Sequence, residues 1–333
     1  MKKRSPVIHS GMNNLESCLS VGIDIGGTKI ALGLVSSDGR VVASLRIPTE
    51  PDNGFDAAVS RIVSAIRHVL QNSGVTEESL VGIGIGCAGP VDRLAGRIVN
   101  PDTLPRWFGN NIVEPLKNEF SQSNVLLDND ANVSALGEYY FGAGKSANPL
   151  MMITIGTGVG AGLIVNGRIY RGAQGEHPEF GHIPTVIGPS RMVKSLENVI
   201  SGTALLEEGN RRDLNLTSAK DLFLLEKQGN VTAAQIIGEA VEAFGFSIRT
   251  IAHTYLPEKV VLGGSITLDC CERLLAVARA TLSIEHLVPV GTTQIVRSAL
   301  GEFAGVVGAA CLTFEESRHS GKGSVLTVDS PGG

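Results

Sequence analysis

The sequence predicts an α/β protein made of two similar halves. Residues 19–49 and 149–173 each contain an apolar strand, a glycine-rich turn, a second apolar strand and a two-residue hairpin signal ending in glycine. Segments with helical periodicity follow both of them. A chain of 333 residues is long enough for two lobes. Such a repeat indicates a duplicated fold with a cleft between the copies, where ligands commonly bind.

The first half is predicted to alternate strands with helices. The strands at its start turn at Asp38-Gly39, and an amphipathic helix covers residues 55–74 and ends in glycine. Residues 79–92 are predicted to form a buried strand that runs into a loop. Residues 124–144 are predicted to form a strand that breaks into a helix.

The second half repeats this order, with a hairpin at Asn166-Gly167. Helices are predicted over residues 217–227 and 232–253. A strand follows in residues 258–266, a last strand over 293–298, and a final helix within 300–314.

Composition and charge limit the function classes. A formal net charge of −5 argues against a nucleic-acid partner, and no apolar run reaches the length of a membrane span. Five cysteines without paired spacing indicate reduced thiols in a cytoplasmic protein. Residues 1–19 are predicted to be a disordered leader, and the polar, Gly/Ser-rich residues 315–333 a disordered tail.

The turn in IDIGGTK, residues 23–29, has the chemistry of a phosphate site. Gly26 and Gly27 leave the backbone N–H groups open to phosphate oxygens, and Thr28 adds a hydroxyl. Asp24, at the strand end, is predicted to hold Mg²⁺ through water. A plain hairpin turn remains the alternative.

Two further glycine turns follow strands, in ITIGTGVGAG (153–162) and VVLGGSI (260–266). The first leads into a strand, whereas a dinucleotide-binding turn opens a helix, so that fold is disfavoured. The sequence has no GxxxxGK[ST] motif, which excludes a P-loop.

The segment LLDNDAN, residues 126–132, places polar side chains directly after an apolar strand. Phosphoryl transfer to an alcohol needs alignment, charge neutralisation and a base for the hydroxyl proton. An Asx-rich turn that caps the following helix is the alternative. Asp128 is interpreted as structural.

Taken together, DIGGTK, LLDNDANVSALGE, ITIGTGVGAG and VVLGGS resemble, in order and spacing, the ROK family of sugar kinases of the actin-like ATPase and hexokinase superfamily. The resemblance covers residues 20–313 and implies two ribonuclease-H-like lobes closing over ATP and a hexose. The implied lobes are residues 20–131, completed by the helix at 301–314, and residues 132–300. The implied nucleotide-binding residues are Gly26, Gly27, Thr28 and Lys29 in the first phosphate loop, Gly156, Thr157 and Gly158 in the second, and Gly263 and Gly264 at the adenosine.

The same resemblance assigns the reacting side chains. Asp130 matches the general base and Asn129 a neighbouring hydrogen bond to the sugar. The implied sugar-binding residues are Gly89, Asn110, Glu179, His182 and Glu197. A solvated helix position is the alternative for Glu197, and His177 is left open between a structural and a substrate role.

The segment after His182 departs from the family pattern. There, this histidine commonly joins cysteines in a zinc knuckle, but residues 183–202 contain neither Cys nor another His. One histidine does not make a tetrahedral zinc site, so no structural zinc is expected. Pro184, Pro189 and helix capping near Ser195 are candidates for ordering the loop.

The resulting hypothesis is an ATP:hexose phosphotransferase, with glucose first and fructose, mannose and N-acetylmannosamine as alternatives. The HPE sequence at 177–179 resembles fructokinase-like and mannokinase-like members. A sugar-responsive repressor is disfavoured because fewer than about twenty residues precede the first strand, too few for a DNA-binding helix pair. An inactive sugar-binding relative is disfavoured by the intact Asp130 and phosphate loops. The resemblance also implies a homodimer.

Overall fold

The protein, described by a computed structural model, is resolved over residues 18–173, 175–188, 192–283 and 292–319. Its first half is organised around one mixed sheet. The strands of this half are β1 (Leu19–Ile25), β2 (Lys29–Ser36), β3 (Val41–Pro48), β4 (Leu80–Cys87), β5 (Val91–Asp92), β6 (Arg97–Ile98) and β7 (Asn124–Asn129). The sheet has the order β3-β2-β1-β4-β7, and β5 and β6 form a separate two-stranded ribbon.

The second half repeats this arrangement. Its strands are β8 (Leu150–Ile155), β9 (Val159–Val165), β10 (Arg168–Ile169), β11 (Pro184–Ile187), β12 (Met192–Ser195), β13 (Lys259–Gly263) and β14 (Gln294–Arg297). The second sheet has the order β10-β9-β8-β13-β14. In both sheets three antiparallel strands are followed by two parallel ones, which confirms the predicted duplication.

Helices cover these sheets and connect them. They are α1 (Phe55–Ser73), α2 (Val113–Glu119), α3 (Asp130–Phe141), α4 (Glu197–Ile200), α5 (Gly202–Arg211), α6 (Ala219–Lys227), α7 (Val231–Tyr255), α8 (Ser265–Ser283) and α9 (Ala304–His319). The predicted α1, α6 and α7 are confirmed within two residues at each end, and the predicted break from strand to helix within 124–144 falls between β7 and α3. Helices α2, α5 and α8 were not predicted.

Helices α3 and α9 join the two halves. They cross in close contact, α3 also packs on β8 and β9, and α9 packs on β1 and β4. Gly22 of β1 and Gly84 of β4 face the backbone of α9 with no room for a side chain. One apolar cluster around these helices contains Val35 of the first sheet and Met152 of the second. The two lobes therefore share a core through this pair of helices.

Two predicted boundaries are corrected. Leu19, assigned to the leader, is the first residue of β1 and pairs with Ser36. Helix α9 continues through residues 315–319, because the 311–318 segment alternates buried and exposed positions at helical spacing. The rest of the predicted leader and tail, residues 1–17 and 320–333, lie outside the described residues.

Helix α7 is the one described helix that is long and apolar enough to cross a membrane by length and composition. Half of its apolar window is buried inside the protein, where it packs against α6, α8 and β11. Phe244 and Ile248 are among its residues in the core of the second half. This packing accounts for the apolar composition of α7.

A short ribbon occupies the segment where the family pattern has a knuckle. Strands β11 and β12 pair antiparallel from Pro184 with Ser195 to Ile187 with Met192. Buried Thr185 donates its hydroxyl to the Ala243 carbonyl of α7 at 3.0 Å. Ser195 accepts from the Asn198 N–H at 3.3 Å, which agrees with the predicted capping there. Pro189, another candidate for ordering this loop, lies outside the described residues.

Candidate active site

The first glycine turn joins β1 to β2 and is braced from behind. Gly26 N–H donates to the Lys29 carbonyl at 3.0 Å, which closes the turn. Buried Thr49 donates its hydroxyl to the Gly26 carbonyl at 2.7 Å, and its N–H to the Thr28 carbonyl at 3.1 Å. Thr28 and Lys29 are exposed and face away from this brace. The turn is thus held in place while its outer surface stays open to a ligand.

A loop from the first half lies over this turn. Thr103 packs against Gly27, where a side chain would clash with it. Buried Asn100 accepts from the N–H groups of Asp102 and Thr103 at 3.0 and 2.9 Å and donates to the Ala88 carbonyl at 3.2 Å. Asn100 therefore fixes the position of this loop next to the glycine turn.

The second glycine turn joins β8 to β9 and lies at the start of α5. Gly156 accepts from the Gly202 N–H at 2.7 Å. Thr157 accepts from both the N–H and the hydroxyl of Thr203, at 3.3 and 3.0 Å. Helix α8 begins beside the same turn, since a Cβ on Gly156 would lie 3.7 Å from the Ser265 hydroxyl. Two helix N-termini directed at one turn favour an anionic ligand such as a phosphate.

Gly263 and Gly264 form the end of β13, directly before α8. Gly264 has a φ of +95°, and a Cβ there would lie 2.6 Å from the Ile155 carbonyl carbon. Only glycine fits this left-handed, closely packed position without strain. The turn is therefore next to the second glycine turn, as the resemblance implies for the adenosine side.

Asp130 lies at the corner between β7 and α3. Asn129 is the N-cap of α3 and accepts from the N–H groups of Ala131 and Asn132 at 2.9 and 3.2 Å. The cap predicted as an alternative is therefore present, but Asn129 provides it. Asp130 accepts only from the Ala131 N–H, at 2.9 Å, among the described residues. Its second carboxylate oxygen is left available to a ligand.

Two carboxylates share this corner. The pKa of Asp24 is raised to about 7, mainly by burial and then by the neighbouring Asp130 carboxylate, while Lys29 opposes the change. Burial also raises the pKa of Asp130, against the Ala131 hydrogen bond and the charge of His177. A raised pKa suits a group that must accept a proton near neutral pH.

The predicted sugar-side residues converge on the same corner. Gly89 lies against the Asn129 amide and the His177 ring. His177 Nε2 pairs with Glu179 at 3.2 Å. Burial lowers the pKa of His177, but its hydrogen bond to Glu179 and the nearby carboxylates outweigh this effect and raise it. The carboxylates around His177, with Asp130 among them, therefore stabilise its protonated form.

Glu179 and His182 lie at the two ends of one tight turn, in which the His182 N–H donates to the Glu179 carbonyl at 3.1 Å. The Glu179 side chain is half exposed, and the hydrogen bond from His177 lowers its pKa. The turn packs on β9 through Gly181, which has no room for a side chain there. Both polar groups are thus presented together to solvent.

Two further predicted sugar-binding residues make other contacts. Glu197, at the start of α4, accepts from the Val159 N–H at 2.7 Å and lies against Gly158 of the second turn. Asn110 is bound through its backbone to Ile98 of β6 at 3.0 Å. In the described part of the chain no hydrogen bond joins either residue to Glu179 or His182.

A cavity of about 640 Å³ lies beside the second glycine turn. Thr157 and Gly158 of that turn line it, together with Glu197 and Lys194. Thr103, which contacts Gly27, also lines it. The first glycine turn therefore adjoins this cavity through Thr103.

The donor groups at the corner fit a divalent cation. Asp24 and Asp130 are neighbouring carboxylates, since the charge of Asp130 raises the pKa of Asp24, and Mg²⁺ prefers oxygen ligands of this kind. Among the described residues there is no group of three or more His, Cys, Asp or Glu side chains arranged to hold a metal, around His182 or elsewhere.

The sequence analysis missed several residues of this region. Thr203 and Ser265 lie at the second turn because helices α5 and α8 begin there, and α8 was not predicted. Arg171 forms an ion pair with Asp128, a residue 43 positions earlier in the chain. The glycine pair that ends at Gly264 marks the place where α8 begins, so Ser265 could have been predicted from the sequence. No local pattern pointed to Arg171.

Comparison with known proteins gives consistent results. The chain is 32% identical over 317 residues to the glucokinase of Thermotoga maritima, covering 89% of this chain and 97% of that protein. The structure of a ROK hexokinase from Thermus thermophilus aligns with a TM-score of 0.76 at 28% identity, over 90% of this chain and 99% of that one. A ROK family glucokinase from Streptomyces griseus, in complex with glucose and AMPPNP, aligns with a TM-score of 0.73 at 28% identity, over 88% and 98%.

The model of the ROK family matches residues 20–316, which is nearly all of the described chain. The match begins in β1 and ends in α9, so it spans both sheets and the helices that join them. This protein belongs to the ROK family.

Proposed function

We propose that this protein transfers the γ-phosphoryl group of ATP to a hexose hydroxyl, with glucose as the favoured acceptor. The observation that supports this most is the position of Asp130. It has a free carboxylate oxygen and a raised pKa, next to Asp24 and to the polar cluster of Gly89, Asn129 and Glu179. Relatives named glucokinase, from Thermotoga maritima among others, favour glucose.

In the proposed reaction Asp130 accepts the proton of the attacking hydroxyl. The hydroxyl oxygen forms a bond to the γ-phosphorus while the bond to the β-phosphate oxygen breaks, and ADP leaves. The first turn, Gly26 to Lys29, and the second turn, Gly156 to Gly158, would hold the phosphates, and Gly263 and Gly264 the adenosine. Mg²⁺ held near Asp24 would supply positive charge to the phosphates.

On the sugar side, Gly89, Asn110, Asn129, Glu179, His182 and Glu197 are the proposed contacts. Glutamate and histidine side chains bind vicinal hydroxyls and so fix which hydroxyl faces the base. Of these residues Glu179, His182 and Asn129 have the strongest support, because they lie around His177 and Asp130.

We further infer a lobe division at residues 20–131, together with α9, and 132–300. The protein is proposed to be a cytoplasmic homodimer, as the family resemblance suggests, without structural zinc.

The test is an ADP-release assay with a panel of sugars: glucose, fructose, mannose, N-acetylmannosamine, N-acetylglucosamine and allose. We expect glucose to give the highest kcat/KM. A preference for fructose or mannose would instead assign the activity suggested by the HPE sequence. An absence of turnover with all six sugars would contradict the proposal.

The Asp130→Asn variant tests the base. We expect kcat to fall by roughly 10²- to 10⁴-fold, the usual contribution of general-base catalysis, while hexose still binds. Hexose binding is measured by the fluorescence of Trp107, the only tryptophan, which is buried in the loop that carries Asn110. Unchanged turnover in this variant would refute the role of Asp130.

A further inference from the structure

A mostly buried ion pair crosses between the two halves. Arg171 follows β10 in the second half, and Asp128 lies in β7 of the first half. The Arg171 Nη2 group pairs with Asp128 Oδ2, and Nη1 donates to Asp128 Oδ1 at 3.4 Å. The Asp128 side chain is 4% exposed and that of Arg171 is 23% exposed. Such a two-pronged contact fixes orientation as well as distance.

Asp128 uses the same carboxylate to hold the corner that carries Asp130. Asp128 Oδ1 accepts from the Asn129 N–H at 2.8 Å and from Asn132 Nδ2 at 2.8 Å. These donors belong to the N-cap residue and the first turn of α3. The direction of the Asp128 carboxylate therefore determines how Asn129 and Asp130 are presented.

Arg171 begins the loop that carries the other polar groups of the site. The Gly172 N–H donates to the Glu176 carbonyl at 2.6 Å, which brings the residues after Arg171 back toward His177. Glu179 follows, and it is paired with His177. A single ion pair thus joins the corner of Asp130 to the loop of Glu179.

We propose that Arg171 is a positioning residue for hexose binding, acting through Asp128. The proposal rests on the proposed function, because it concerns the same hexose site. Without Arg171, the buried Asp128 carboxylate loses its cation and is driven toward solvent or a new partner. The N–H of Asn129 and the amide of Asn132 then lose their fixed acceptor, and the loop of Glu179 is no longer tied to the corner.

The experiment compares Arg171→Met with Arg168→Met in the full-length protein. Arg168 lies three residues earlier in β10, is exposed and forms no ion pair with a described residue, so it is a matched control. For Arg171→Met we expect the KM for hexose to rise by about tenfold or more, as misplacement of positioning groups commonly does. The KM for ATP should stay within about twofold, because neither glycine turn contacts the pair.

Two further variants separate positioning from simple stability. In Asp128→Asn/Arg171→Met the uncompensated carboxylate is absent, so hexose affinity should recover partly relative to Arg171→Met alone. Arg171→Lys keeps the positive charge but not the planar group that makes two parallel hydrogen bonds. Its KM for hexose should lie between those of the wild type and Arg171→Met. If Arg171→Met does not fold, the double variant and Arg171→Lys still carry the comparison with Arg168→Met.

Several results would overturn the proposal. They are a hexose KM in Arg171→Met equal to that in Arg168→Met, a parallel rise of both KM values, or a lowered Tm with unchanged hexose affinity. Hexose affinity is also measured by Trp107 fluorescence without ATP. Failure of wild-type turnover would therefore count against the proposed kinase activity, and an Arg171 variant that binds hexose like the wild type would count against the positioning role.

Discussion

At the scale of single residues, the site brings together ionisable side chains whose charges are stabilised only by neighbouring groups. The Asp130 carboxylate raises the pKa of Asp24, and the carboxylates of Glu179, Asp130 and Asp128 raise the pKa of His177. Asp24 is also close to α9, because a Cβ on Gly305 would lie 2.6 Å from its carboxylate. The ligand-free protein therefore carries an electrostatic cost at neutral pH, as functional sites often do.

This arrangement predicts a pH dependence of stability for the ligand-free protein. The pKa of Asp24 is raised to about 7, so the folded state binds more protons than the unfolded state below that pH. Its contribution to stability is present at low pH and is lost as the pH rises toward about 7. The raised pKa values of Asp130 and His177 act in the same direction. We expect Tm to fall over this range, corresponding to at most about 4 kcal/mol from Asp24.

Asp24→Asn removes the titrating group while keeping the shape of the side chain. Its Tm should fall less steeply between about pH 5 and pH 7.5 than that of the wild type, when both are measured without Mg²⁺ or nucleotide. Parallel Tm curves for the two proteins would show that Asp24 has an ordinary pKa.

Local patterns in the sequence pointed to some of the candidate residues. Gly26, Gly156 and Gly264 were singled out because glycine after a strand is a local signal, whereas the role of Asp130 was implied by the family resemblance of the segment that follows an apolar strand. Arg171 and Thr49 were not found. Each acts on a partner that is distant in the chain, Asp128 for Arg171 and Gly26 for Thr49, and no spacing rule predicts such contacts. The role of Asn129 as a cap was foreseen, but only as an alternative.

At the scale of elements, the ribbon of β11 and β12 is the main difference from the expected family pattern. Its paired backbone and the hydrogen bond from Thr185 to Ala243 hold it against α7. We infer that these contacts, rather than a metal, keep the ribbon in shape.

The ribbon therefore predicts insensitivity to metal removal. We expect elemental analysis to find zinc well below one equivalent per chain, and dialysis against a chelator to leave the Tm unchanged within about 1 °C, because no zinc-dependent folding energy would be lost. A tightly bound equivalent of zinc, or a chelator-induced fall in Tm, would contradict this prediction.

A variant of the ribbon serves as the positive control. Thr185→Val removes the hydrogen bond to Ala243 and should lower stability by about 1 kcal/mol with or without chelator. Its effect shows that the assay detects disturbance of this segment.

Among the elements, the strands were predicted better than the helices. Strands β1 to β3 and β8 to β10 carry alternating or continuous apolar residues bounded by glycine turns. Helix α8 was missed because no strong helical pattern stood out between the glycine pair of β13 and the last strand, although residues 265–283 form a helix with a kink at Cys270. The end of α9 was placed too early because polar residues 315–319 look like a tail, whereas the helix continues through them.

At the scale of the whole molecule, the contact between α3 and α9 holds the two lobes together. A Cβ on Gly137 of α3 would lie 2.7 Å from the Ala304 carbonyl oxygen and 3.0 Å from the Gly308 nitrogen of α9. The helices thus meet backbone to backbone, which only glycine allows.

Gly137→Ala is expected to destabilise the protein by roughly 2 kcal/mol or more, because the helices must move apart to admit the methyl group. Gly238→Ala is the matched control, since Gly238 lies in α7 with no atom within 4 Å of an added Cβ. That change should stabilise the protein by about 0.5–1 kcal/mol through helix propensity alone. The free energies of unfolding are obtained from denaturant titrations. Equal changes in the free energy of unfolding for the two variants would show that α3 and α9 can move apart at their crossing without loss of stability.

The late position of α9 in the chain also determines when the first sheet is covered during synthesis. Gly22 and Gly84 are translated early, yet the helix that covers them spans residues 304–319. During synthesis on the ribosome this face of the first sheet therefore stays uncovered until α9 has been made, with Val306 lying 284 positions after Gly22 and Ala309 lying 225 positions after Gly84. The first sheet of a nascent chain of this kind is completed only when α9 packs on it. Until then its uncovered face is the surface that chaperones for apolar segments would bind.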